Sequence, residues 1–351
     1  MLEEYGRHVS EGCLMKRVKL PFAPDLHVEF VDRDRAIQQV LEWAGKGTRF
    51  PIAVFGPEGC GKTAWLRQAA ELLREGGYEV VYVDPLHREY LTCTDVKAVV
   101  EKFVRAAAEV IGTAEVKLAT LAIDAVKDLL KLGKRKVAVL VDEVFQAIGL
   151  EKAGVYVKSL LNLIEYPPES YERIVAVVAT SEGVSRREIG RHRWADLMPI
   201  WNMSKKGFEE LYEKLPSPKP YPEEVWRWVG GNPWMLSQLY QAGWDAGIVL
   251  SKLARRKRLT AFTQSLVPEE RRWLMQAVED PDTLFTRERL PLLDKLVELN
   301  LVVDSIEGRE GWYWVDEPPP EKSLELGVGR YIAWQTPLHR EAVRRVLEEA
   351  M

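Results

Sequence analysis

The stretch Gly56-Pro57-Glu58-Gly59-Cys60-Gly61-Lys62-Thr63 fits the pattern G-x-x-x-x-G-K-[ST], known as Walker A. Its glycines allow the backbone to curl so that successive N–H groups point at phosphate oxygens. Lys62 is expected to reach the β- and γ-phosphates of a nucleotide, and the Thr63 hydroxyl is expected to ligate Mg²⁺. The eight residues together therefore predict a phosphate-binding loop, in which Cys60 occupies a variable position.

The residues before and after this loop have the patterns of a strand and a helix, which are the elements that such a loop connects. Residues 50–55 form an apolar run of buried-strand length. After the loop, apolar residues recur at helical spacing over 62–75, and Gly76-Gly77 ends the pattern. Strand, glycine-rich loop and helix therefore follow one another in the order that phosphate binding needs.

Length and composition exclude several classes of protein. A chain of 351 residues is too long for one ordinary core, so two or three domains are expected. The formal charge of −4 argues against a globally basic nucleic-acid binder. No window has the apolar length of a membrane span, and the N-terminus lacks a signal-peptide core. Three widely separated cysteines indicate a reducing compartment, so we predict a cytoplasmic protein without membrane contact.

The middle of the chain alternates apolar, β-branched runs with helical patterns. This alternation is typical of a parallel sheet that is covered by helices on both faces, and it predicts a doubly wound α/β fold. Together with the phosphate-binding loop, it predicts the fold of P-loop nucleotide triphosphatases. The predicted strands are 51–55, 79–83, 137–141 and 174–179, and the predicted helices between them are 62–75, 94–111, 114–132 and 153–165.

The rest of the chain predicts two further units. Four prolines between 216 and 222 interrupt a helical region, which suggests a small helical lid. Beyond residue 260, helices at 267–279 and 285–299 precede a predicted hairpin of Leu301–Val303 with Trp312–Val315, a strand at 331–334 and a helix at 337–350, which together describe a winged helix. The predicted division is an N-terminal arm at 1–25, the α/β core at 26–205, the lid at 206–259 and the winged-helix-like domain at 260–351.

Two strand ends of the predicted sheet carry polar groups. The strand 137–141 runs into Asp142-Glu143, a Walker B pattern at the edge where open parallel sheets bind ligands. Asp142 is expected to hold Mg²⁺ together with Thr63, and Glu143 is expected to polarise the attacking water. The alternative is a pair of solvated acids. Thr180-Ser181 ends the next strand, where a hydroxyl contacts the γ-phosphate or the water, unless the pair forms a plain turn.

Three further motifs complete a resemblance to a known family. They are Phe30-Val31-Asp32-Arg33-Asp34, similar to F-x-x-R-[DE], Gly190-Arg191 after the polar strand end, and Gly230-Gly231-Asn232-Pro233, similar to G-G-x-P. With the Walker motifs, they make residues 27 to 320 resemble the archaeal ATPase family, which is AAA+/STAND-like and joins such a core to a winged helix. Thr180 departs from this family, which commonly has glycine there, whereas Ser181 matches.

The resemblance implies roles for the residues of these motifs. Asp32 and Arg33 are implied to lie near the adenine, and Pro233 to approach the base from the lid. Arg191 is implied to touch the γ-phosphate, with Arg193 as a rival two residues on. Simpler alternatives stay open, because Asp32 and Arg33 can cap a helix, Arg191 can be a surface charge, and the glycines before Pro233 can end a helix.

The charge of the last hundred residues bears on the partner. Lys252–Arg258 carries five positive charges, which suit either a solvated helix face or contact with phosphates or an acidic partner. From 251 to 351, however, 16 Lys and Arg residues face 18 Asp and Glu residues, and the candidate recognition helix Thr286–Asn300 is locally neutral. This balance favours a protein partner or self-association over DNA.

The sequence therefore predicts a slow ATPase that binds ATP, ADP and Mg²⁺ and acts as a molecular switch, with the nucleotide controlling the positions of the lid and winged helix. Two other functions stay open. One is a DNA-associated ATPase of the initiator or transposition-helper type, which binds duplex through the winged helix and 252–258. The other is a scaffold in which nucleotide is structural and turnover is negligible.

Overall fold

A computed structural model of the chain describes residues 16–108, 114–181, 183–304 and 306–349. Residues 1–15 of the predicted N-terminal arm, the end of the predicted helix 94–111 with the two residues after it, and the last residue of the predicted helix 337–350 lie outside these ranges. Within them the strands are β1 (Lys19–Ala23), β2 (Leu26–Glu29), β3 (Ile52–Phe55), β4 (Glu79–Asp84), β5 (Glu89–Cys93), β6 (Lys136–Asp142), β7 (Arg173–Thr180), β8 (Asp196–Pro199), β9 (Val302–Asp304) and β10 (Ile332–Trp334).

The helices account for most of the remaining described chain. They are α1 (Asp34–Lys46), α2 (Lys62–Glu75), α3 (Lys97–Ala107), α4 (Ala114–Lys131), α5 (Val144–Ile148), α6 (Ala153–Glu165), α7 (Gly183–Gly190), α8 (Lys205–Glu213), α9 (Pro222–Val229), α10 (Pro233–Gln241), α11 (Ala246–Arg256), α12 (Leu259–Ser265), α13 (Pro268–Glu279), α14 (Leu290–Glu298) and α15 (Pro337–Glu349).

A six-stranded sheet forms the centre of the first half of the chain. Its order is β5-β4-β6-β7-β3-β8, and every neighbouring pair is parallel except β4 with β5. Helices α1 and α2 bury apolar side chains on one face of this sheet, and α4 and α6 do so on the other. The predicted α/β fold is confirmed. The edge strands β5 and β8 were not predicted, because short, half-exposed strands lack a continuous apolar run.

A hairpin precedes the sheet where the sequence indicated no regular structure. Strands β1 and β2 pair antiparallel, with Leu20 opposite Val28. The Val18 amide donates a hydrogen bond to Gln68 Oε1 on α2 at 2.9 Å, and the Ser237 hydroxyl on α10 donates one to the Phe22 carbonyl. Residues 19–23 of the predicted arm thus form a strand, which lies between the core and α10.

The helices of the lid and the elements after residue 260 share one apolar core. Leu236 and Leu253 from the former pack in the same cluster as Leu296 and Leu338 from the latter, and each is at most 4% exposed. Side chains packed in this way transmit displacement, because protein interiors have low compressibility. We call residues 205–349 the lid–C-terminal region.

The predicted hairpin of Leu301–Val303 with Trp312–Val315 is wrong. Strand β9 pairs antiparallel with β10 instead, with Val303 opposite Ala333. Residues 311–314 form turns, and the Val315 amide donates a hydrogen bond to the Pro199 carbonyl at the end of β8. The Trp314 carbonyl also accepts a hydrogen bond from Gln39 Nε2 on α1 at 2.8 Å, so the segment is bonded to the core domain, and the buried Trp314 indole packs in one cluster with Trp201 and Ala333.

No helix in the described ranges combines the length and the apolar character that are needed to cross a bilayer.

Candidate active site

The predicted phosphate-binding loop joins β3 to α2. Gly59 and Gly61 have φ angles of 75° and 101°, which a residue with a Cβ rarely adopts. A Cβ on Gly59 would also lie 2.4 Å from Trp234 Cβ in the lid. The Lys62 side chain is buried, and its Nζ donates hydrogen bonds to the carbonyls of Gly56 at 3.1 Å and Pro57 at 2.9 Å. The Lys62 ammonium group is thus hydrogen-bonded to the loop of which the lysine itself is a part.

The two acids after β6 have different surroundings. Asp142 is fully buried, and neither of its carboxylate oxygens has a hydrogen-bond partner among the described residues. Burial and, to a smaller extent, the Glu143 carboxylate raise the pKa of Asp142 to about 7, and the nearby Thr63 hydroxyl opposes both effects. Buried carboxylate oxygens without partners are costly unless a cation binds them.

The neighbouring acid is held in place by the end of the next strand. Glu143 has a left-handed backbone with φ 45°, and its amide donates a hydrogen bond to the Ala179 carbonyl at 2.9 Å. Its carboxylate accepts hydrogen bonds from the Ser181 hydroxyl and, at 3.2 Å, from the Ser181 amide. The structure thus brings Ser181 to Glu143, so that this serine fixes the direction in which the acid points.

An open cleft of about 1110 Å³ collects seven of the predicted site residues. It lies between the core and α10. Its lining includes Gly59, Gly61, Lys62, Thr63, Glu143, Ser181 and Pro233. Phe22 of the hairpin and Trp234 and Ser237 of the lid also line it, and the sequence did not point to these three.

A mainly apolar cavity of about 530 Å³ lies next to the cleft and shares Gly61 and Pro233 with it. Leu20, Phe22 and Val28 of the hairpin form one wall, and Met203 and Leu211 form another. Such a cavity suits a flat, weakly polar group of the size of a nucleobase. The sequence contains one pattern that could have predicted this wall. Val18, Leu20 and Phe22 recur at every second position, which is the period of a half-buried strand.

Arg33 and Asp32 lie near the cavity with different contacts. Arg33 lines it, but the guanidinium is buried and donates hydrogen bonds to Asp316 Oδ2 at 2.9 Å and to the Cys60 and Trp201 carbonyls at 2.6 and 2.8 Å. The Asp32 carboxylate instead faces the Ser204 hydroxyl at 3.4 Å, and burial raises its pKa. Arg33 thus ties the phosphate loop to the C-terminal region, and its predicted proximity to adenine stays a prediction.

The structure does not bring Arg191 into the cleft. Its side chain is 70% exposed and pairs with Glu188 at 2.8 Å on the same helix. Arg193 is exposed as well. Contact of either arginine with a γ-phosphate therefore stays a prediction.

Glu58 connects the phosphate loop to the lid–C-terminal region through four hydrogen bonds, which we call the Glu58 junction. Its amide donates to Gln335 Oε1 at 2.9 Å, and its carbonyl accepts from Asn232 Nδ2 at 2.9 Å. Its carboxylate pairs with Arg256 at 3.0 Å and Lys257 at 2.9 Å. Two charges of the predicted basic run are thus paired inside the molecule. Sequence reasoning missed this junction because its partners lie 174 to 277 positions further along the chain.

A buried histidine beside the Glu58 junction predicts acid sensitivity. Burial lowers the pKa of His339 to about 3, helped by Lys257 and Arg256 and opposed by Glu58. The unfolded chain binds this proton near pH 6.5. The free energy of unfolding should therefore be unaffected by His339 above pH 6.5 and should fall by up to several kcal/mol as the pH drops from about 6.5 towards 3. Urea unfolding of the wild type and His339→Gln between pH 7 and 4 measures this, and parallel curves would contradict it.

A comparison of the sequence with protein-family models identifies the family to which this site belongs. The family model of an ATPase domain predominantly from Archaea matches residues 30–239, more than half of the chain. The chain belongs to this family. The match includes the phosphate loop, the two acids and Pro233, and it ends within α10. No curated protein matches the sequence.

Solved structures of several proteins are similar to this chain over much of their length. A structure of the Aeropyrum pernix ORC2 protein in ADPNP–ADP complexes has 13% identity and a TM-score of 0.44, with 94% of this chain and 98% of that chain covered. The Aeropyrum pernix ORC1 protein in complex with DNA has 15% identity and a TM-score of 0.37, with 93% and 95% covered. AMPPCP-bound DnaA from Aquifex aeolicus has 20% identity and a TM-score of 0.37, with 72% and 71% covered. These likenesses are distant, and the family assignment rests on the family model alone.

Proposed function

We propose that this ATPase is a nucleotide-dependent switch, which binds Mg·ATP between its core and lid and hydrolyses it slowly. The observation that carries the proposal is the Glu58 junction. A residue inside the phosphate loop is bonded through its amide, its carbonyl and its carboxylate to the lid–C-terminal region. A change in the loop therefore acts directly on the position of that region.

The cleft and the apolar cavity support nucleotide binding in one orientation. The phosphates take the cleft, where the positive end of α2 and Lys62 attract negative charge. The base takes the adjoining apolar cavity, between the hairpin and Met203. Both cavities reach Pro233, so the proposed ligand contacts the lid as well as the core.

The residues near the phosphates fit a magnesium ion. Asp142 offers two buried carboxylate oxygens without described partners, and the Thr63 hydroxyl lies near them. Oxygen ligands of this kind are those that Mg²⁺ prefers. When bound, the ion neutralises phosphate charge during phosphoryl transfer.

Glu143 is the residue that we propose to orient the attacking water and accept its proton. Its carboxylate lines the cleft and is aimed by two donors from Ser181. Phosphoryl transfer depends mainly on positioning and electrostatic stabilisation, so a held carboxylate at this point is sufficient for slow turnover. Ser181 acts here as a positioning residue.

Binding of phosphates must change the contacts of the loop. The three donors of the Lys62 ammonium group are taken by the carbonyls of Gly56 and Pro57 and by Cys60 Sγ at 3.8 Å, so Lys62 has to give up bonds to the loop in order to reach the phosphates. The Glu58 amide lies next to those carbonyls and is held by Gln335, while the Trp234 amide donates to the Gly59 carbonyl at 3.3 Å. Rearrangement of the loop therefore pulls on bonds to both α10 and the segment before α15.

Glu58→Gln tests this coupling. The amide side chain cannot form either ion pair, so the free energy of unfolding should fall by about 1–3 kcal/mol. The affinity for ATP should stay within about threefold of the wild type, because the carboxylate does not line the cleft. The response of hydrogen exchange to ATP should be reduced in residues 246–257, because the ion pairs of Arg256 and Lys257 with the loop are lost while the bonds to the Glu58 backbone remain.

The matched control is Glu101→Gln, an exposed acid on α3. It should leave both stability and the response to ATP unchanged. A Glu58→Gln protein with the full response of the wild type would show that the coupling does not pass through this carboxylate.

The partner that we propose is a protein, in line with the near-neutral charge of the C-terminal region. Trp312 is 79% exposed, and Phe285, which is 53% exposed, stacks on Tyr331 with 4.6 Å between ring centroids. Exposed aromatic side chains are enriched at protein interfaces.

A DNA-associated ATPase is the second candidate, and one observation favours it. Lys252, Arg255 and Arg258 remain exposed after Arg256 and Lys257 pair with Glu58, and Arg345 lies beside the first two in a shallow depression. Two results together would support this candidate over the protein switch. Binding to duplex DNA should weaken steeply with salt, and it should be lost when Lys252, Arg255 and Arg258 are changed to glutamine.

A further inference from the structure

Four charged or titratable side chains line the cleft without a part in the chemistry described so far. They are Arg67 on α2, Asp84 at the end of β4, His87 in the following turn and Glu89 on β5. Strand β4 lies beside β6 with Val83 opposite Val141, so Asp84 and Asp142 end at the same edge of the sheet. This group therefore lies at the acid end of the cleft, away from the apolar cavity.

Asp84 fixes the orientation of the histidine. Asp84 is 1% exposed, its Oδ1 accepts a hydrogen bond from the His87 amide at 3.1 Å, and its Oδ2 lies 2.8 Å from His87 Nδ1. A carboxylate at that distance keeps the proton on Nδ1, because the carboxylate is an acceptor. The second ring nitrogen, Nε2, is then free to act on a ligand, and the side chain as a whole is 66% exposed.

The other cations near the cleft are already engaged. The Arg67 guanidinium pairs with Glu89, and Lys62 is the loop lysine described above. Arg191 pairs with Glu188 outside the cleft. His87 also lines the cleft, and within the described part of the chain its Nε2 atom takes part in no hydrogen bond.

We propose that His87 is a further catalytic residue, which donates a hydrogen bond from Nε2–H to an oxygen of the terminal phosphate of ATP. The inference rests on the proposed ATP hydrolysis and names a residue that the family motifs do not contain. In the step, the water oxygen bonds to the γ-phosphorus and the bond from that phosphorus to the ADP oxygen breaks. The water proton goes to Glu143, and His87 stays protonated throughout.

Electrostatics favour the charged imidazole at this position. Partial burial lowers the pKa of His87, but Asp84, Glu89 and Asp142 outweigh it and raise the pKa above its ordinary value. Glu143 and the cations Arg67 and Lys62 also line the same cleft. A fixed positive donor at the point where phosphate charge develops stabilises the transition state more than the ground state.

The test measures kcat and the dissociation constants of ATP and ADP for His87→Ala, His87→Gln and the control His27→Ala, an exposed histidine on β2. His87→Ala should lower kcat by about 100-fold, as loss of a single oxyanion donor does. ADP affinity should stay within about twofold, because ADP lacks the terminal phosphate. His87→Gln keeps a neutral donor near the position of Nε2 and should recover part of the loss, and His27→Ala should match the wild type.

Two results would overturn this assignment. One is wild-type kcat in His87→Ala, and the other is an equal loss of ADP and ATP affinity, which indicates a structural function. A wild type without any hydrolysis refutes the proposed function instead. In that case the ratio of ATP to ADP affinity still tests the contact between His87 and the terminal phosphate. His87→Ala should weaken the binding of ATP but not that of ADP, and an unchanged ratio would show that the contact does not exist.

Discussion

Lys62→Ala is expected to abolish ATP binding, with a dissociation constant at least about 100-fold above that of the wild type. The lysine supplies charge-assisted hydrogen bonds to the phosphates, and losing them costs roughly 3 kcal/mol or more. Titration of the purified protein with a fluorescent ATP analogue and competition with ATP measure the change. Circular dichroism is needed alongside, because the Lys62 side chain is buried and also bonds the Gly56 and Pro57 carbonyls.

Lys152→Ala is the control for this variant, since that lysine is exposed and lies before α6. It should bind ATP as the wild type does. A folded Lys62→Ala protein that binds ATP normally would show that the nucleotide phosphates do not sit on this loop.

Glu143→Gln is expected to retain ATP and to lose turnover by a factor of about 100 to 10,000, which is the contribution of a positioned general base. The amide oxygen of glutamine can still accept the hydrogen bond from the Ser181 amide, and its NH2 group can donate to the Ser181 hydroxyl oxygen, so the side chain keeps its direction. It cannot accept the proton of the water. Phosphate release under saturating ATP, compared with ATP affinity, separates the two effects.

Glu101→Gln serves again as the control and should hydrolyse ATP at the wild-type rate. Undiminished hydrolysis by Glu143→Gln would remove this acid from the mechanism. Loss of binding along with turnover would instead indicate that the carboxylate holds the nucleotide or the loop.

Local patterns were sufficient to predict the centre of this fold. Strands β3, β4, β6 and β7 are buried along nearly their whole length, and such strands appear in the sequence as continuous apolar runs. The loop at 56–63 and the acids at 142–143 were predictable for the same reason. Each is a short, contiguous motif directly after one of these runs, so that parallel strands bring the motifs to one edge of the sheet.

What the sequence did not indicate depends on contacts between distant segments. Strand β9 is followed by glycines that suit a hairpin, but the backbone of Trp314 and Val315 is hydrogen-bonded to the core domain, and β10 becomes the partner of β9. The hairpin β1–β2 is short and half exposed, and it forms a wall of the apolar cavity only together with the distant residues of α10 and Met203. The Glu58 junction likewise joins residues that no local pattern relates.

The central claim is that the nucleotide on the phosphate loop controls the lid–C-terminal region. Hydrogen exchange of Glu143→Gln, followed by mass spectrometry with saturating Mg·ATP, with Mg·ADP and without nucleotide, tests it most directly. We expect the loop at 56–63 to be protected by both nucleotides, and we expect residues 231–241 and 332–349 to change exchange rate with ATP but not with ADP. Protection of the loop by ATP without any change in those two segments would contradict the switch.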